Sequence, residues 1–318
     1  MVKSKQPPAK VSIIILNWNG LEDTIECLES LKKIAYPNYE VIVIDNGSVG
    51  NDAQRLKEKF GDYIYLIQNE RNYGYAEGNN IGIRHVLKES TSDYVLLLNN
   101  DLVVHPQFLD ELVKLAEDDC SIGIAGPKSY LYSSRNKLEF TTAKIDLWRG
   151  RTVQVGFGRI DSGQYDNVQD TDYCQGACFL IRREVIQRIG LLDASYFAYW
   201  EETDYCLRAR KEGFRIVYCP RAKIWHKGWS KMWDKDRTSS LMAGAVYHLT
   251  RSTFIFMKKH ARKLQIGTYL LYFLTIHFWV MGVHFLVRRR SLQGFASFLR
   301  GVKDGLRLLM SRVTPNST

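Results

Sequence analysis

Three carboxylates fall within four positions at Glu201, Glu202 and Asp204, in a run from Tyr199 to Asp204 that opens a short amphipathic pattern closing at Gly213. Like charges this close repel, so the cluster needs a cation, a shared proton or water to relieve it. A general base beside a metal site provides that relief. An acidic helix N-terminus, favoured by the helix dipole, is the plainer alternative. A strand-like run from Phe214 to Cys219 follows and leads to His226 in Trp225-His226-Lys227-Gly228. A neutral imidazole there can complete a coordination shell, although a lone histidine is more often structural.

A second set of polar residues lies upstream, at the ends of apolar runs. Val11–Leu16, Val41–Ile44 and Tyr94–Leu98 end in Asn17-Trp18-Asn19-Gly20, Asp45-Asn46-Gly47-Ser48 and Asn99-Asn100-Asp101. Asp45 can accept hydrogen bonds from a pyrimidine imide or a ribose hydroxyl, or it can cap the next helix. Asp101 is a hard oxygen donor, placed where a divalent cation could bridge a diphosphate; a turn aspartate is the alternative. Asn99 and Asn100 add oxygens without charge. The segment Arg71 to Gly82 spaces glycines at 74, 78 and 82. Gly74 and Gly78 suit close approach of a ligand, and Arg71 suits a phosphate or a base. The spacing is neither GxGxxG nor a Walker loop, which disfavours those nucleotide folds.

The elements that must position these residues follow from periodicity. Leu21, Ile25, Leu28 and Leu31 keep helical spacing after the first apolar run, and Asp52–Phe60 and Asn79–Lys88 read as further helices. Tyr63–Ile67 reads as another strand. Strands that are apolar throughout and alternate with helices predict a parallel sheet covered on both faces, with a ligand crevice at its carboxyl edge. Beyond it come a helix at Phe108–Ala116, a strand at Ile122–Ala125, a strand at Tyr173–Ile181 and a helix at Glu184–Ile189. Residues 130–172 are polar and read as irregular, a lid or binding loop.

A chain of 318 residues with 45% hydrophobic content allows one large or two ordinary domains. The net charge of +10 belongs to residues 258–318, which hold eleven Lys/Arg and one acid, Asp304. Gly267–Val287 is uncharged and apolar over 21 residues, with His277 and His284 inside and basic residues on both flanks. That length suffices for a hydrocarbon core of about 30 Å, but flanks of one sign give no orientation. Leu292, Phe295, Leu299, Val302, Leu306 and Leu309 keep helical spacing among Arg300, Lys303 and Arg307, the pattern of an interfacial amphipathic helix over 291–313. The partner expected is an anionic membrane surface and not nucleic acid; a buried helical hairpin is the alternative. Met1 to Lys10 is polar and lacks the apolar core of a secretory signal. Six cysteines without a CxxC pair fit reduced thiols in a cytosolic compartment. The expected organisation is a disordered 1–10, a catalytic domain at 11–240 and a helical, membrane-associating tail at 241–318.

On Val11–Gly20, Val43–Ser48, Asn72–Asn80, Leu97–Asp101 and Tyr199–Gly228, the chain resembles the family-2 glycosyltransferases of the GT-A fold. Among them it looks most like the rhamnosyltransferase-type members that build bacterial surface polysaccharides. The resemblance covers roughly residues 11–230. It implies an α/β, Rossmann-like, mostly parallel sheet flanked by helices. It also implies inverting transfer of rhamnose or another hexose, from a nucleotide-diphosphate sugar to a hydroxyl of a lipid-linked or polysaccharide acceptor. The implied location is the cytoplasmic face of the bacterial inner membrane.

In such families a strand-end Asp-x-Asp holds the metal, Mg²⁺ or Mn²⁺; here only Asp101 matches, because Asn99 stands at the first position. The family's base falls on Glu202, where an aspartate is usual, so Glu201 or Asp204 could share the work. The late histidine falls on His226 as a metal ligand. Substrate contacts are expected from Asn17, Asn19, Asp45, Asn46, Arg71, Asn72, Gly74, Asn79, Asn99, Asn100, Gly176 and Trp200. A sugar-nucleotide pyrophosphorylase would need a basic, glycine-rich loop after the first strand, where Asn17-Trp18-Asn19-Gly20 stands instead. A membrane-anchored scaffold that binds nucleotide sugar without turnover draws its support from the Asn99 and Glu202 departures.

Overall fold

A computed structural model describes residues 7–228 and 239–311, which fall into two units. The first comprises Met1–Lys144, Gln154–Ala194 and Glu201–Lys231. Its sheet begins with β1 (Val11–Asn17), β2 (Tyr39–Asp45), β3 (Tyr65–Gln68) and β4 (Tyr94–Asn99), side by side and parallel in the order β3-β2-β1-β4. β-Branched and aliphatic residues fill β1, and Val11, Ile13, Ile14 and Ile15 are fully buried. Each such side chain contributes about 1.5–3 kcal/mol on burial. Ile13 and Ile15 face the main core with Leu28 and Leu31 of α1 (Leu21–Leu31) and Leu109 and Leu112 of α4 (Phe108–Asp118).

The opposite pleat carries Ile14 and Leu16 against α3 (Gly74–Glu89). A Cβ on Gly78 would sit 2.6 Å from Leu16 Cδ1, and one on Gly82 would sit 2.7 Å from Ile14 Cγ2. Gly78, expected to admit a ligand, therefore serves to bring the helix backbone down onto the sheet. Helix α2 (Asp52–Phe60) closes the parallel half.

Beyond β4 the sheet is mixed. β11 (Cys178–Arg182) runs antiparallel between β4 and β6 (Ile122–Leu131), and β12 (Arg215–His226) is parallel to β6. The register of β12 shifts between Cys219 and Lys223, around Pro220, which cannot donate to a ladder. Past that bulge β12 pairs with the short β5 (Leu102–Val104), bringing His226 opposite Leu102.

Residues 130–172, expected to be irregular, instead carry β7 (Ser134–Phe140), β8 (Ala143–Asp146), β9 (Arg151–Gln154) and the two-residue β10 (Gln169–Asp170). These strands are short and largely polar, so they show no apolar run for periodicity to detect. The N-terminal lead is also ordered sooner than expected. Asn38 donates to the Pro8 carbonyl, Tyr36 to that of Ala9, and the Lys10 ammonium pairs with Glu40 at 2.9 Å. Residues 1–6 lie outside the described residues.

The second unit comprises Ile145–Val153, Ser195–Trp200 and Met232–Thr318, so two short segments from earlier in the chain join the C-terminal helices. Its helices are α7 (Ser239–His260), α8 (Lys263–Arg288) and α9 (Leu292–Met310). Positions 312 and 313 of the expected amphipathic helix fall outside the described residues. Gly301 and Gly305 let α9 approach α7: a Cβ there would lie 2.9 Å from Thr250 Cβ and 2.3 Å from Phe254 Cδ2. Phe254, Met257, Tyr269, Phe273, Phe285 and Phe298 form this unit's core. Helix α8 has 26 residues and is long and apolar enough to cross a membrane by length and composition. Leu271, Leu274, Trp279, Val280 and Val287 are each more than half exposed, which is not the burial of a soluble hairpin.

Candidate active site

The parallel register sets Asn17 beside Asp45 at the carboxyl edge. Asn17 is fully buried and joins the loops: its Nδ2 donates to Asp45 Oδ1 at 2.8 Å, to Ser48 Oγ at 3.1 Å and to Asp52 Oδ2 at 3.1 Å, while Oδ1 accepts from Thr24 at 2.7 Å. Asp45 also accepts from Ser48 Oγ at 2.6 Å. Asn46 does similar work one strand along, donating to Asn72 Oδ1 and the Gly74 carbonyl and accepting from Asn69 and the Tyr73 amide. Asn79 donates to the Tyr75 carbonyl, and Asn100 to Thr24 Oγ1 at 2.9 Å.

These amides, expected to meet substrate, spend their hydrogen bonds on the loops and so hold the crevice wall in shape. Asn19, at φ 51°, accepts from the Val49 amide at 2.7 Å. Arg71 is exposed and stacks over Tyr73. Gly47 has φ +73°, and a Cβ there would meet the Arg71 backbone carbon at 2.4 Å, so the Asp45–Ser48 turn and the loop at Arg71 are pressed together.

Asp101 and His226 meet although 125 positions separate them, because β5 and β12 pair immediately beside both. His226 Nε2 lies 3.2 Å from Asp101 Oδ1, and Nδ1 lies 2.7 Å from Glu139 Oε1. Glu139 is fully buried on β7, and its other oxygen accepts from Ser129 Oγ at 2.6 Å. Burial alone would lower the His226 pKa, but the two carboxylates raise it well above the ordinary value. Burial likewise works to raise that of Asp101, and His226 holds it below the usual carboxylate range. With Glu139 taking the Nδ1 proton as hydrogen-bond acceptor, Nε2 is the nitrogen turned to Asp101.

Among the described residues no group of three or more His, Cys, Asp and Glu side chains forms a metal cage. Two ligands do fit a hard cation that keeps water and takes phosphate oxygens for its remaining positions. Metal–ligand bonds of about 2.1 Å at right angles place donor atoms about 3 Å apart, close to the spacing of this pair. Glu139, at 2.7 Å from Nδ1, would then be the outer partner that orients the histidine. It was missed in the sequence because a lone glutamate in a polar hairpin gives no signal.

The acidic cluster opens α6 (Glu201–Lys211) after three residues with left-handed backbone, Phe197, Tyr199 and Trp200, at φ 62°, 67° and 74°. Such strain costs of order 1–3 kcal/mol per residue and collects at functional sites. The three carboxylates separate by environment. Asp204 is fully buried and pairs with Arg208 at 2.8 Å, whose other nitrogens donate to the carbonyls of Ile189 and Leu191. Glu201 is buried, and its Oε2 has no hydrogen-bond partner; burial, then the charges of Glu202 and Asp204, push its pKa well above the usual range. Glu202 is partly exposed, and a Cβ on Gly176 would lie 3.4 Å from its Cγ.

Gly176 ties the two clusters together. Its carbonyl accepts from the Tyr75 hydroxyl, and the pKa of Tyr75 is raised by burial and by Glu201 and Glu202. The next residue, Ala177, accepts from the Asn99 amide at 2.8 Å. Glu202, Gly176 and the Asn99–Asp101 loop are thus contiguous, and His226 adjoins the far end. Trp200, the remaining expected contact, belongs to the second unit.

Comparison with known proteins matches residues 7–262 to the family model described as glycosyltransferase like family 2. The low-salt glycan biosynthesis hexosyltransferase of Haloferax volcanii is 31% identical over 209 residues, 66% of this chain and 64% of that protein. The chain thus spans somewhat under two thirds of that relative, and only 24% of an uncharacterised Sinorhizobium fredii protein that it also matches. A rhamnosyltransferase of Escherichia coli is 26% identical, covering 77% of this chain and 92% of its own. The N-acetylglucosaminyl-diphospho-decaprenol L-rhamnosyltransferase of Mycobacterium tuberculosis is 24% identical, with 72% and 78% covered. Among solved structures, a mannosyltransferase from Pyrobaculum calidifontis in complex with GDP-Man and Mn²⁺ shares the fold, with TM-score 0.59 at 14% identity over 95% of this chain and 88% of that one.

Proposed function

Because the chain belongs to glycosyltransferase family 2 and resembles its rhamnosyltransferases, we propose that it moves rhamnose or another hexose from a nucleotide-diphosphate sugar to a hydroxyl of a lipid-linked or polysaccharide acceptor, with inversion. The observation that carries this reading is the continuity from Glu202 through Gly176 and Ala177 to Asn99, Asp101 and His226.

In the proposed reaction the acceptor hydroxyl gives its proton to a Glu202 carboxylate oxygen as its own oxygen bonds to the anomeric carbon. The bond from that carbon to the diphosphate breaks on the opposite face. Asp204 is committed to Arg208, and the burial of Glu201, with the charges of Glu202 and Asp204 beside it, raises its pKa and favours its neutral form. Glu202 is the carboxylate left to act. Asp101 and His226 would hold Mg²⁺ or Mn²⁺, which neutralises charge on the departing diphosphate. Asn99 in place of a second carboxylate leaves this pair one negative charge fewer to offer such an ion. Asp45 and the loops that Asn17 and Asn46 brace form the donor's nucleoside side.

Helix α8 and the basic tail would keep the chain on the anionic cytoplasmic face of the inner membrane, beside an acceptor that cannot leave the bilayer. A donor screen by mass spectrometry tests the reading, using the full chain in detergent, Mg²⁺ or Mn²⁺, and a polyprenyl-diphosphate-sugar acceptor. Addition of one hexose or deoxyhexose to the acceptor is expected. Donor binding without transfer, across a broad panel of donors and acceptors, would instead favour a nucleotide-sugar-binding scaffold.

A further inference from the structure

The second unit holds a cavity of about 380 Å³ that the donor chemistry does not use. One wall is the tip of the β8–β9 hairpin, with Arg149 and Arg151 on either side of Gly150. Gly150 has φ +60°, and a Cβ there would strike Tyr269 of α8 at 2.5 Å, so the tip lies directly on that helix. The Trp148 carbonyl accepts from Thr268 at 3.2 Å, which anchors it. Both guanidiniums lie near Asp146, at 3.3 and 3.5 Å, two positive charges against one negative.

The opposite wall comes from α7 and α8. Tyr269 is 2% exposed, lines the cavity, and its hydroxyl is buried without a hydrogen-bond partner. Trp200 and Tyr272 add aromatic faces. A buried hydroxyl with nothing to bind is an uncompensated group that a ligand oxygen would satisfy.

We propose that this cavity seats the diphosphate head of an isoprenoid-type lipid. The inference deepens the acceptor reading above and rests on it. Paired guanidiniums recognise phosphate oxygens in bidentate fashion, the Tyr269 hydroxyl donates to one more, and Trp200 or Tyr272 offers a face to the first sugar ring. The occupant is a lipid and not a free diphosphate because of α8. The helix that supplies Tyr269, Tyr272, Phe273 and His277 to the cavity presents its remaining surface as exposed apolar side chains, ready to run beside an acyl or prenyl chain.

The test is titration of the full chain in detergent with farnesyl diphosphate as probe, against inorganic pyrophosphate and against nanodiscs of phosphatidylglycerol. Farnesyl diphosphate is expected to bind at least tenfold more tightly than pyrophosphate, and phosphatidylglycerol is expected not to displace it. Arg149→Ala combined with Arg151→Ala should weaken binding at least tenfold, and Tyr269→Phe, which keeps the ring packing, should weaken it severalfold. Donor-sugar affinity measured on the same samples reports that the variants are folded. Unchanged probe affinity in the arginine variant overturns the proposal, as does equal binding of pyrophosphate or displacement by phosphatidylglycerol. If the probe binds as expected but sugar is transferred only to a lipid-free glycan, the acceptor reading fails while the lipid site stands.

Discussion

Replacing Glu202 by glutamine keeps the side chain's volume beside Gly176 and removes the oxygen that takes the acceptor's proton. General-base catalysis typically contributes 10²–10⁴ in rate, so the variant should lose about 3–5 kcal/mol of transition-state stabilisation. Donor binding should be retained, because the Asp45 turn and the Asp101–His226 pair are untouched. The neighbours sharpen the test. Burial and its acidic neighbours favour the neutral form of Glu201, which glutamine imitates, so Glu201→Gln should keep turnover within about tenfold of wild type, less than the smallest loss expected of a base.

Its effect should appear in stability. The folded-state pKa of Glu201 lies above the unfolded value of about 4.3, so the folded chain keeps a proton that the unfolded chain releases. Stability contributed by that proton is full below pH 4 and drains as pH rises toward the folded value. Glu201→Gln should therefore melt higher than wild type at pH 8 and alike near pH 4. Asp204→Asn breaks a buried pair and should cost about 3–5 kcal/mol in folding with a smaller effect on chemistry in the folded fraction. Initial rates of sugar transfer, donor calorimetry and thermal melts across pH separate the three. If Glu202→Gln turns over near normally while Glu201→Gln loses two or more orders of magnitude, the base is misassigned.

Further expectations concern the metal pair and the loops. Asp101→Ala should abolish the metal dependence of donor binding, and a variant whose donor affinity in calorimetry still rises with Mn²⁺ as in wild type would refute a ligand role. Glu139→Gln should weaken Mn²⁺ binding in the presence of nucleoside diphosphate by about 10–100-fold, the usual effect of losing a histidine's outer partner; unaltered affinity would leave Glu139 a structural residue only. Gly47→Ala meets a left-handed backbone penalty of about 1–2 kcal/mol plus a 2.4 Å approach to the Arg71 backbone. It should unfold at markedly lower urea concentration, and an unchanged midpoint would mean that the Asp45–Ser48 turn is not held against Arg71.

The sequence alone determined the parallel half of the fold and much of the chemistry. Apolar runs of β-branched residues can bury both faces only under helices, and the polar residues that end them must then share one edge. That argument placed Asn17, Asp45 and Asp101 together without coordinates. The apolar stretch of α8 was equally legible, because 21 uncharged residues in a row are long enough for a hydrocarbon core of about 30 Å.

What the sequence could not decide was pairing across distance. His226 reaches Asp101 because β12, past a bulge around Pro220, keeps its pairing with β6 and takes up β5 on its other edge, and bulges are set by strand packing and not by composition. Glu139 joins them only through the β6–β7 hairpin, whose second strand is polar and has no periodic signal. The three acidic residues of α6 are alike on paper. Asp204 has Arg208 four residues on along the same helix, but only the tertiary structure buries that pair, shuts Glu201 away from water and leaves Glu202 facing Gly176, since desolvation depends on what surrounds a carboxylate.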